Sequence, residues 1–162
     1  MATLTQVIDR LTSLRDGLPL LVEKAAEETK DSYVDMNRAQ LFDGKTRTGE
    51  DIRPSYFEDP YFQTPQAAQR YSDWKDRVTP SLRRTKGTPN LYINGYYYSS
   101  LGAKVSSNGV EITTNNFGNE ITQKYGPNLY GLNKEGMDDY KSLYLNPVFR
   151  NKVVEIVKVP FV

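Results

Sequence analysis

The 162-residue sequence contains neither cysteine nor histidine. Without cysteine there are no disulfides, thiolate nucleophiles or thiolate metal ligands. Without histidine the chain lacks the side chain best suited to proton transfer near neutral pH, and with it Ser-His nucleophile pairs and imidazole metal sites. Only carboxylate, lysine or tyrosine chemistry remains. A small enzyme that uses carboxylates is therefore the least favoured of three possible functions. We therefore expect a protein that is not an enzyme, with no catalytic residues, no metal and no cofactor.

Long apolar runs and an excess of one charge are also missing. No stretch approaches the length of apolar chain that spans a bilayer. The first segment, MATLTQVIDRLTSLRDG, carries charges among its apolar positions, unlike a secretory signal. The formal net charge of +1 gives no overall attraction to nucleic acid or to a membrane surface. We expect a soluble protein that is made in a cytoplasm and has no membrane partner.

Tyrosine, by contrast, is abundant. The chain has 12 Tyr, 6 Phe and 1 Trp, although hydrophobic residues make up only 38% of it. A tyrosine ring buries a large apolar area while its hydroxyl stays polar, which suits contacts between subunits. The same property suits an ordinary core whose ring tips reach water. Both interpretations stay open from composition alone.

Two helices are predicted at the start of the chain. Apolar residues between Leu4 and Leu14 recur every three or four positions, which is the spacing of one helical face. Gly17 suits the end of this helix, and Pro19 suits the first turn of a second helix that reaches about Gln40. The middle of the second helix is too polar to be buried all round, so we expect it to lie on a surface.

Beyond these helices the chain becomes rich in turns. Gly44 and Gly49 bracket a polar turn, which predicts a short hairpin with Leu41–Phe42 on one arm and Ile52 on the other. Three prolines then interrupt an aromatic stretch, PSYFEDPYFQTP, and forbid a long regular element there.

A further helix is predicted from Pro65 to Val78. Thr64 suits the N-cap position, and proline is favoured in the first turn. Pro80 ends the helix soon after. Its expected apolar face is formed by four residues at helical spacing: Ala67, Ala68, Tyr71 and Trp74.

The strongest local signal is the pair Asn108-Gly109, which is typical of a tight hairpin turn. Alternation on both sides of it predicts two antiparallel strands. One face of the pair carries Ala103, Val105, Val110 and Ile112.

The C-terminal part is predicted to be helical. Gly118 to Tyr125 forms a short helix, stopped by Gly126. Two more short helices follow and are separated at Asn146–Pro147, and Asn133 is placed to cap the first of them.

Together these elements predict an α+β fold: N-terminal helices, a small antiparallel sheet centred on the Asn-Gly hairpin, and C-terminal helices packed on it. We expect residues 1–40 to form an N-terminal helical segment and residues 41–162 an α+β core, which together make one domain.

Several short motifs in the second half of the chain form a recognisable series. The segment NLYINGYYYSSL has a leucine-x-x-Asn-Gly turn and a Ser-Leu pair, the Asn-Gly hairpin follows, and a short helix ends at a Tyr-Gly pair. A Gly-Leu-Asn cap then opens the terminal helical part. Earlier, a glycine-containing turn leads to an Ile-x-Pro-x-Tyr sequence. The residues concerned are Ile52, Pro54, Tyr56, Leu91, Asn94, Gly95, Ser100, Leu101, Tyr125, Gly126, Gly131, Leu132 and Asn133.

This series resembles the tail-completion, or neck, proteins of tailed bacteriophages, which are also described as minor tail or virion morphogenesis proteins. The resemblance covers roughly residues 40–152. The chain departs from the family pattern at Asn94, where the family often has threonine, and in the length of its aromatic stretch from Tyr56 to Trp74.

The resemblance implies a structural function. Such proteins form rings at the junction of capsid, connector and tail, by head-to-tail contacts between different patches of neighbouring subunits. It implies a location in the virion after assembly in the host cytoplasm. The implied partners are further copies of the chain in a ring, other neck, portal or tail proteins, and DNA that passes through the lumen without sequence-specific contacts.

The tyrosines between Asn90 and Leu101 are expected to pack in the core or in a subunit contact. Stacking on nucleic-acid bases is less favoured, because no basic residue lies in this segment. The basic stretch 70–86 supports a second-ranked function, a nucleic-acid-binding accessory protein, although such charge runs are usually solvated loops. The candidate interaction residues are Tyr56, Phe57, Tyr61, Phe62, Arg83, Arg84, Tyr96, Tyr97 and Tyr98.

Overall fold

A computed structural model describes residues 3–158. Helix α1, Leu4–Phe42, runs without interruption for 39 residues, a length of about 58 Å. Its start is a capping box: the Thr3 hydroxyl accepts from the Gln6 N–H at 3.3 Å, and the Gln6 side chain accepts from the Thr3 N–H at 2.9 Å. Two separate N-terminal helices were therefore a wrong prediction.

The helix continues through Gly17 and Pro19 because its apolar pattern stays in phase across them. Leu14, Leu18 and Leu21 keep the three-four spacing, and Leu21 is the first buried residue of the helix. Pro19 removes one backbone hydrogen bond, a cost of about 3 kcal/mol. The many contacts that α1 makes from Leu21 onward outweigh that local cost.

The C-terminus of α1 is a Schellman motif around Gly44, whose φ is +70°. The Gly44 N–H donates to the Leu41 carbonyl at 2.9 Å, and the Lys45 N–H donates to the Gln40 carbonyl at 3.0 Å. The predicted hairpin arm at residues 41–42 was wrong, because both residues belong to the helix. Between the helix and Ile52, an isolated antiparallel bridge forms between Lys45 and Asp51 in place of the predicted hairpin.

Helix α2, Pro65–Val78, confirms the prediction, and the Thr64 hydroxyl accepts from the Ala67 N–H at 3.2 Å. Its buried residues are Ala68, Ser72 and Lys75, whereas Trp74 is exposed. The predicted apolar face was therefore only partly right: Ala68 is buried as expected, but the buried face turns toward Ser72 and Lys75.

The central hairpin also confirms its prediction. The short helix α3, Tyr96–Ser100, leads into strands β1, Gly102–Ser106, and β2, Gly109–Thr113. The strands are antiparallel, with Ala103 opposite Ile112 and Val105 opposite Val110.

The C-terminal part begins with α4, Asn116–Tyr125, and a short 3₁₀ turn, Pro127–Leu129. Helix α5, Lys134–Tyr140, follows, and the Asn133 side chain accepts from the Gly136 N–H at 2.8 Å, as predicted. A π-helical turn, Lys141–Leu145, joins α5 to α6, Asn146–Lys158.

Helix α6 begins at Asn146, where the two helices were predicted to divide, but helical backbone continues through this point, so the predicted interruption was wrong. A proline ring in a regular helix clashes with the carbonyl four residues earlier. The wider π turn lies directly before Pro147 and relieves that crowding.

The core forms where the second half of α1 packs against the hairpin and α5, with Ile52, Leu129 and Leu132 beside them. The Thr29 and Tyr140 hydroxyls lie 2.7 Å apart, and the rings of Tyr33 and Tyr140 meet edge to face at 5.0 Å. Asn37 is fully buried, and its amide donates to the carbonyls of Leu129 and Gly131 at 3.1 and 3.0 Å.

The expected boundary after residue 40 lies inside α1, which ends at Phe42. The α+β fold class is confirmed.

Candidate functional site

Three of the predicted interaction tyrosines lie in the interior. Tyr56, Tyr97 and Tyr98 are all buried, and burial raises the pKa of each phenol above its usual value. The Tyr98 hydroxyl donates to the Asn90 carbonyl at 2.6 Å, and the Tyr97 hydroxyl donates to that of Tyr130 at 3.3 Å. These side chains pack inside the fold rather than on its outer surface, and Tyr56 and Tyr97 also line a cavity.

The other predicted aromatic residues reach the surface. Phe57, Tyr61 and Tyr96 are exposed, and Phe62 is half-buried. Phe62 packs on Tyr71 with ring centroids 5.1 Å apart. This contact anchors the aromatic stretch between Pro54 and Pro65, the proline-aromatic loop, to α2.

The same loop is tied to α4 by an ion pair. Lys124 Nζ lies 2.6 Å from an Asp59 carboxylate oxygen, and Asp59 is buried. Burial opposes ionisation of this carboxyl, but the Lys124 contact and the Tyr61 N–H hold its pKa below the usual range.

The basic stretch does not form a continuous charged surface. The Arg84 side chain is buried and donates to Asp76 at 3.0 Å and to the Thr79 carbonyl at 2.8 Å. Lys86 pairs with Asp73 at 3.0 Å. Of the two predicted arginines, Arg83 is exposed and the Arg84 guanidinium serves the interior.

A different surface, at the start of the N-terminal helix, is left uncovered by residues 3–158. The first turns of α1 expose Leu4, Val7, Ile8 and Leu11, with 77% of Leu4 and 59% of Leu11 open to solvent. These residues fall on one stripe at three-four spacing. On α6, Ile156 and Val157 are exposed beside the same part of α1. We refer to these six residues as the helical face.

A groove of about 570 Å³ runs between the two helices of this face. Helix α6 is held against α1 by an ion pair between Lys152 and Glu28. The groove walls include Leu11, Leu14 and Leu20 from α1, and Ile156 and Val157 from α6. Contiguous apolar surface of this kind is unusual on a monomer and is typical of protein contact sites.

A second feature is a cavity of about 330 Å³ between α2, α4 and the segment 89–97, which we call the tyrosine cavity. Exposed side chains, among them Ile93, Tyr96 and Phe117, form its rim. Its deeper wall includes Lys75, Tyr71 and Tyr97.

Lys75 is only 2% exposed, and its ammonium donates to the Tyr92 carbonyl. The two acidic neighbours on α2, Asp73 and Asp76, pair with other cations. Within residues 3–158, Lys75 makes no ion pair. Burial, followed by the positive charge of Arg84, lowers the pKa of Lys75 to about 8.

Backbone strain is found at the same cavity. Leu91, which lines it, has φ +56° and is the one non-glycine residue in the described part of the chain with positive φ. A left-handed conformation costs an L-residue about 1–2 kcal/mol. The fully buried Asn90 holds the segment in place, because its side chain donates to the Thr79 hydroxyl at 3.0 Å and accepts from the Tyr92 N–H at 3.2 Å.

The depressed pKa of Lys75 predicts a specific pH dependence. Between pH 8 and the ordinary lysine pKa of about 10.4, the unfolded chain binds the Lys75 proton more tightly than the folded protein. Stability therefore rises with pH across this window. The free energy of unfolding of the wild type, relative to Lys75→Met, should increase by about 2–3 kcal/mol from below pH 8 to pH 10. Chemical denaturation at each pH measures it, and a constant difference would contradict it.

Among residues 3–158, no group of three acidic side chains is placed to hold a metal ion. No helix in that range is long and apolar enough to cross a membrane. No protein-family model matches the chain, and neither the curated proteins nor the solved structures include a match.

Proposed function

We propose that this chain is a structural subunit of a tailed-phage virion, in the neck or tail-completion region, and that it assembles with further copies through the helical face. The resemblance of its sequence motifs to tail-completion proteins suggests the setting. The uncovered helical face is the observation that supports assembly.

The energetics favour a partner on this face. Burying one leucine or isoleucine side chain contributes about 1.5–3 kcal/mol, and the face exposes several of them side by side. Packing of the apolar stripe supplies most of the stability of a helix in a protein. A second copy that covers Leu4, Ile8 and Leu11 would supply that packing.

The motif residues behind the resemblance maintain the fold of the chain. Gly95, Gly126 and Gly131 all adopt positive φ, with values of +83°, +84° and +109°. Such backbone conformations favour glycine and set the direction of the chain. Leu101 and Leu132 are buried core residues.

Replacing Leu11 with aspartate should prevent self-association. A charge at the centre of the stripe would have to be buried in the contact, so we expect affinity to fall by about a hundredfold or more. Thr12→Asp is the matched control, because it adds the same charge one residue away, at an exposed position outside the groove. Sedimentation velocity over a wide concentration range measures both variants.

Two outcomes would contradict the proposal. One is a wild-type protein that stays monomeric and is absent from purified virions by mass spectrometry. The other is a monomer whose stability falls with Leu11→Asp but not with Thr12→Asp, since the face would then be covered by its own chain. The virion measurement carries more weight, because neck proteins can be monomers before they assemble.

A further inference from the structure

The tyrosine cavity contains a buried positive charge without a negative partner. Lys75 is 2% exposed, its ammonium donates to the Tyr92 carbonyl, and within residues 3–158 it meets no carboxylate. An ammonium has three N–H donors, and one bond leaves the other two available. A buried, unpaired charge is costly unless a counter-charge and further hydrogen bonds are supplied.

The fold does not supply that counter-charge from nearby acids. Asp73 is engaged by Lys86 at 3.0 Å and Asp76 by Arg84 at 3.0 Å, although both flank Lys75 on α2. Arg84 adds a like charge, and both this charge and burial disfavour the protonated form of Lys75. A carboxylate from outside the chain would relieve both effects.

The rim indicates what kind of molecule would bring it. Ile93 is 74% exposed, and the exposed rings of Tyr96 and Phe117 meet edge to face with centroids 5.8 Å apart. All three of these exposed residues line the same cavity as Lys75. Exposed aromatic and aliphatic groups around a polar anchor are typical of the energetic centre of a protein–protein contact.

We propose that the tyrosine cavity receives an acidic side chain, Asp or Glu flanked by apolar residues, from a neighbouring protein. The carboxylate pairs with Lys75, and the apolar neighbours pack on Ile93, Tyr96 and Phe117. If the proposed virion function holds, that neighbour is another neck, portal or tail protein. This contact is separate from the helical face, so the chain carries one surface for its own copies and one for a different partner.

Two blocked tripeptides, Phe-Glu-Phe and Phe-Gln-Phe, test the cavity in the intact protein. Both have acetylated and amidated ends and differ only in the charged group. NMR of the lysine side chains follows the Lys75 resonance during titration. The Glu peptide should shift Lys75, raise its pKa and bind roughly tenfold or more tightly than the Gln peptide. No response of Lys75, or equal affinities, would overturn the proposal.

Three variants sharpen the result. Lys75→Met should remove the preference for Glu over Gln, whereas Lys134→Met, at an exposed lysine outside the cavity, should leave it unchanged. Tyr96→Ala alters an exposed rim residue and should weaken both peptides equally. A Tyr96→Ala variant that binds both peptides as tightly as the wild type would overturn the rim contact.

Two further measurements are needed. One distinguishes a small-molecule carboxylate from a protein side chain, and the other distinguishes the proposal for the cavity from the proposal for the helical face. If 3-phenylpropionate binds more tightly than the Glu peptide, the cavity is a small-molecule site and docking of a protein is wrong. Light scattering on the same samples reports self-association. Lys75→Met should keep the wild-type mass, so a failure of the cavity is distinguishable from a failure of the helical face.

Discussion

Replacing Asn37 with alanine should lower the free energy of unfolding by about 2–3 kcal/mol. Asn37 is fully buried in α1 and donates to the carbonyls of Leu129 and Gly131. Its loss leaves the Leu129 carbonyl buried without this donor, and the helix propensity gained with alanine is smaller than that cost. Urea denaturation measures the change, with the exposed Asp31→Ala on the same helix as the control.

A double variant gives a sharper test of the same contact. Gln40 also donates to the Gly131 carbonyl, at 3.0 Å, so this oxygen keeps one donor after either single change. Only Asn37→Ala together with Gln40→Ala removes both. The double variant should therefore lose about 1 kcal/mol more than the sum of the single variants. Strict additivity would show that the two amides do not share this carbonyl.

Replacing Gly44 with alanine should cost about 2–4 kcal/mol. The residue has φ +70°, and a Cβ at this position would lie 2.7 Å from the Thr88 Cγ2. Backbone strain and a steric clash therefore add. Thr88 is 3% exposed and has little room to move away.

Gly49→Ala separates the two causes. Gly49 has φ +84°, but no atom lies within 4 Å of the point that a Cβ would occupy, so the change introduces strain alone, about 1–2 kcal/mol. Adding Thr88→Ser to Gly44→Ala removes the clashing methyl group and should recover part of the remainder, because the Arg84 Cγ and the Pro89 carbonyl oxygen stay 3.1 and 3.3 Å from the new Cβ. Thermal unfolding of the four proteins gives the comparison, and no recovery in the double variant would exclude the Thr88 methyl group as a cause.

The elements that could be predicted are those whose signals are local. The hairpin follows from the turn chemistry of Asn108-Gly109, and α2 from a threonine cap with a first-turn proline. The unbroken α1 was missed because Gly17 and Pro19 are strong local stop signals. Their effect was overridden by core contacts that begin at Leu21 and involve residues distant in sequence.

The candidate sites were harder to predict, because burial is a property of the whole fold. Nothing in the triplet of consecutive tyrosines distinguishes the exposed Tyr96 from the buried Tyr97 and Tyr98. The buried lysine did leave a signal. Ala68, Ser72 and Lys75 share a helical face at four-three spacing, and reading α2 on that face would have placed Lys75 inside.

The hydrogen bond between Thr29 and Tyr140 joins residues that are 111 positions apart. At a synthesis rate of 5–20 residues per second, the ribosome takes roughly 6–22 seconds to make the chain between them. Throughout that interval the apolar face of α1 has no finished core to enter. We therefore expect the nascent chain to depend on chaperones that shield this helix. When synthesis stalls before Tyr140, the apolar face of α1 should stay exposed.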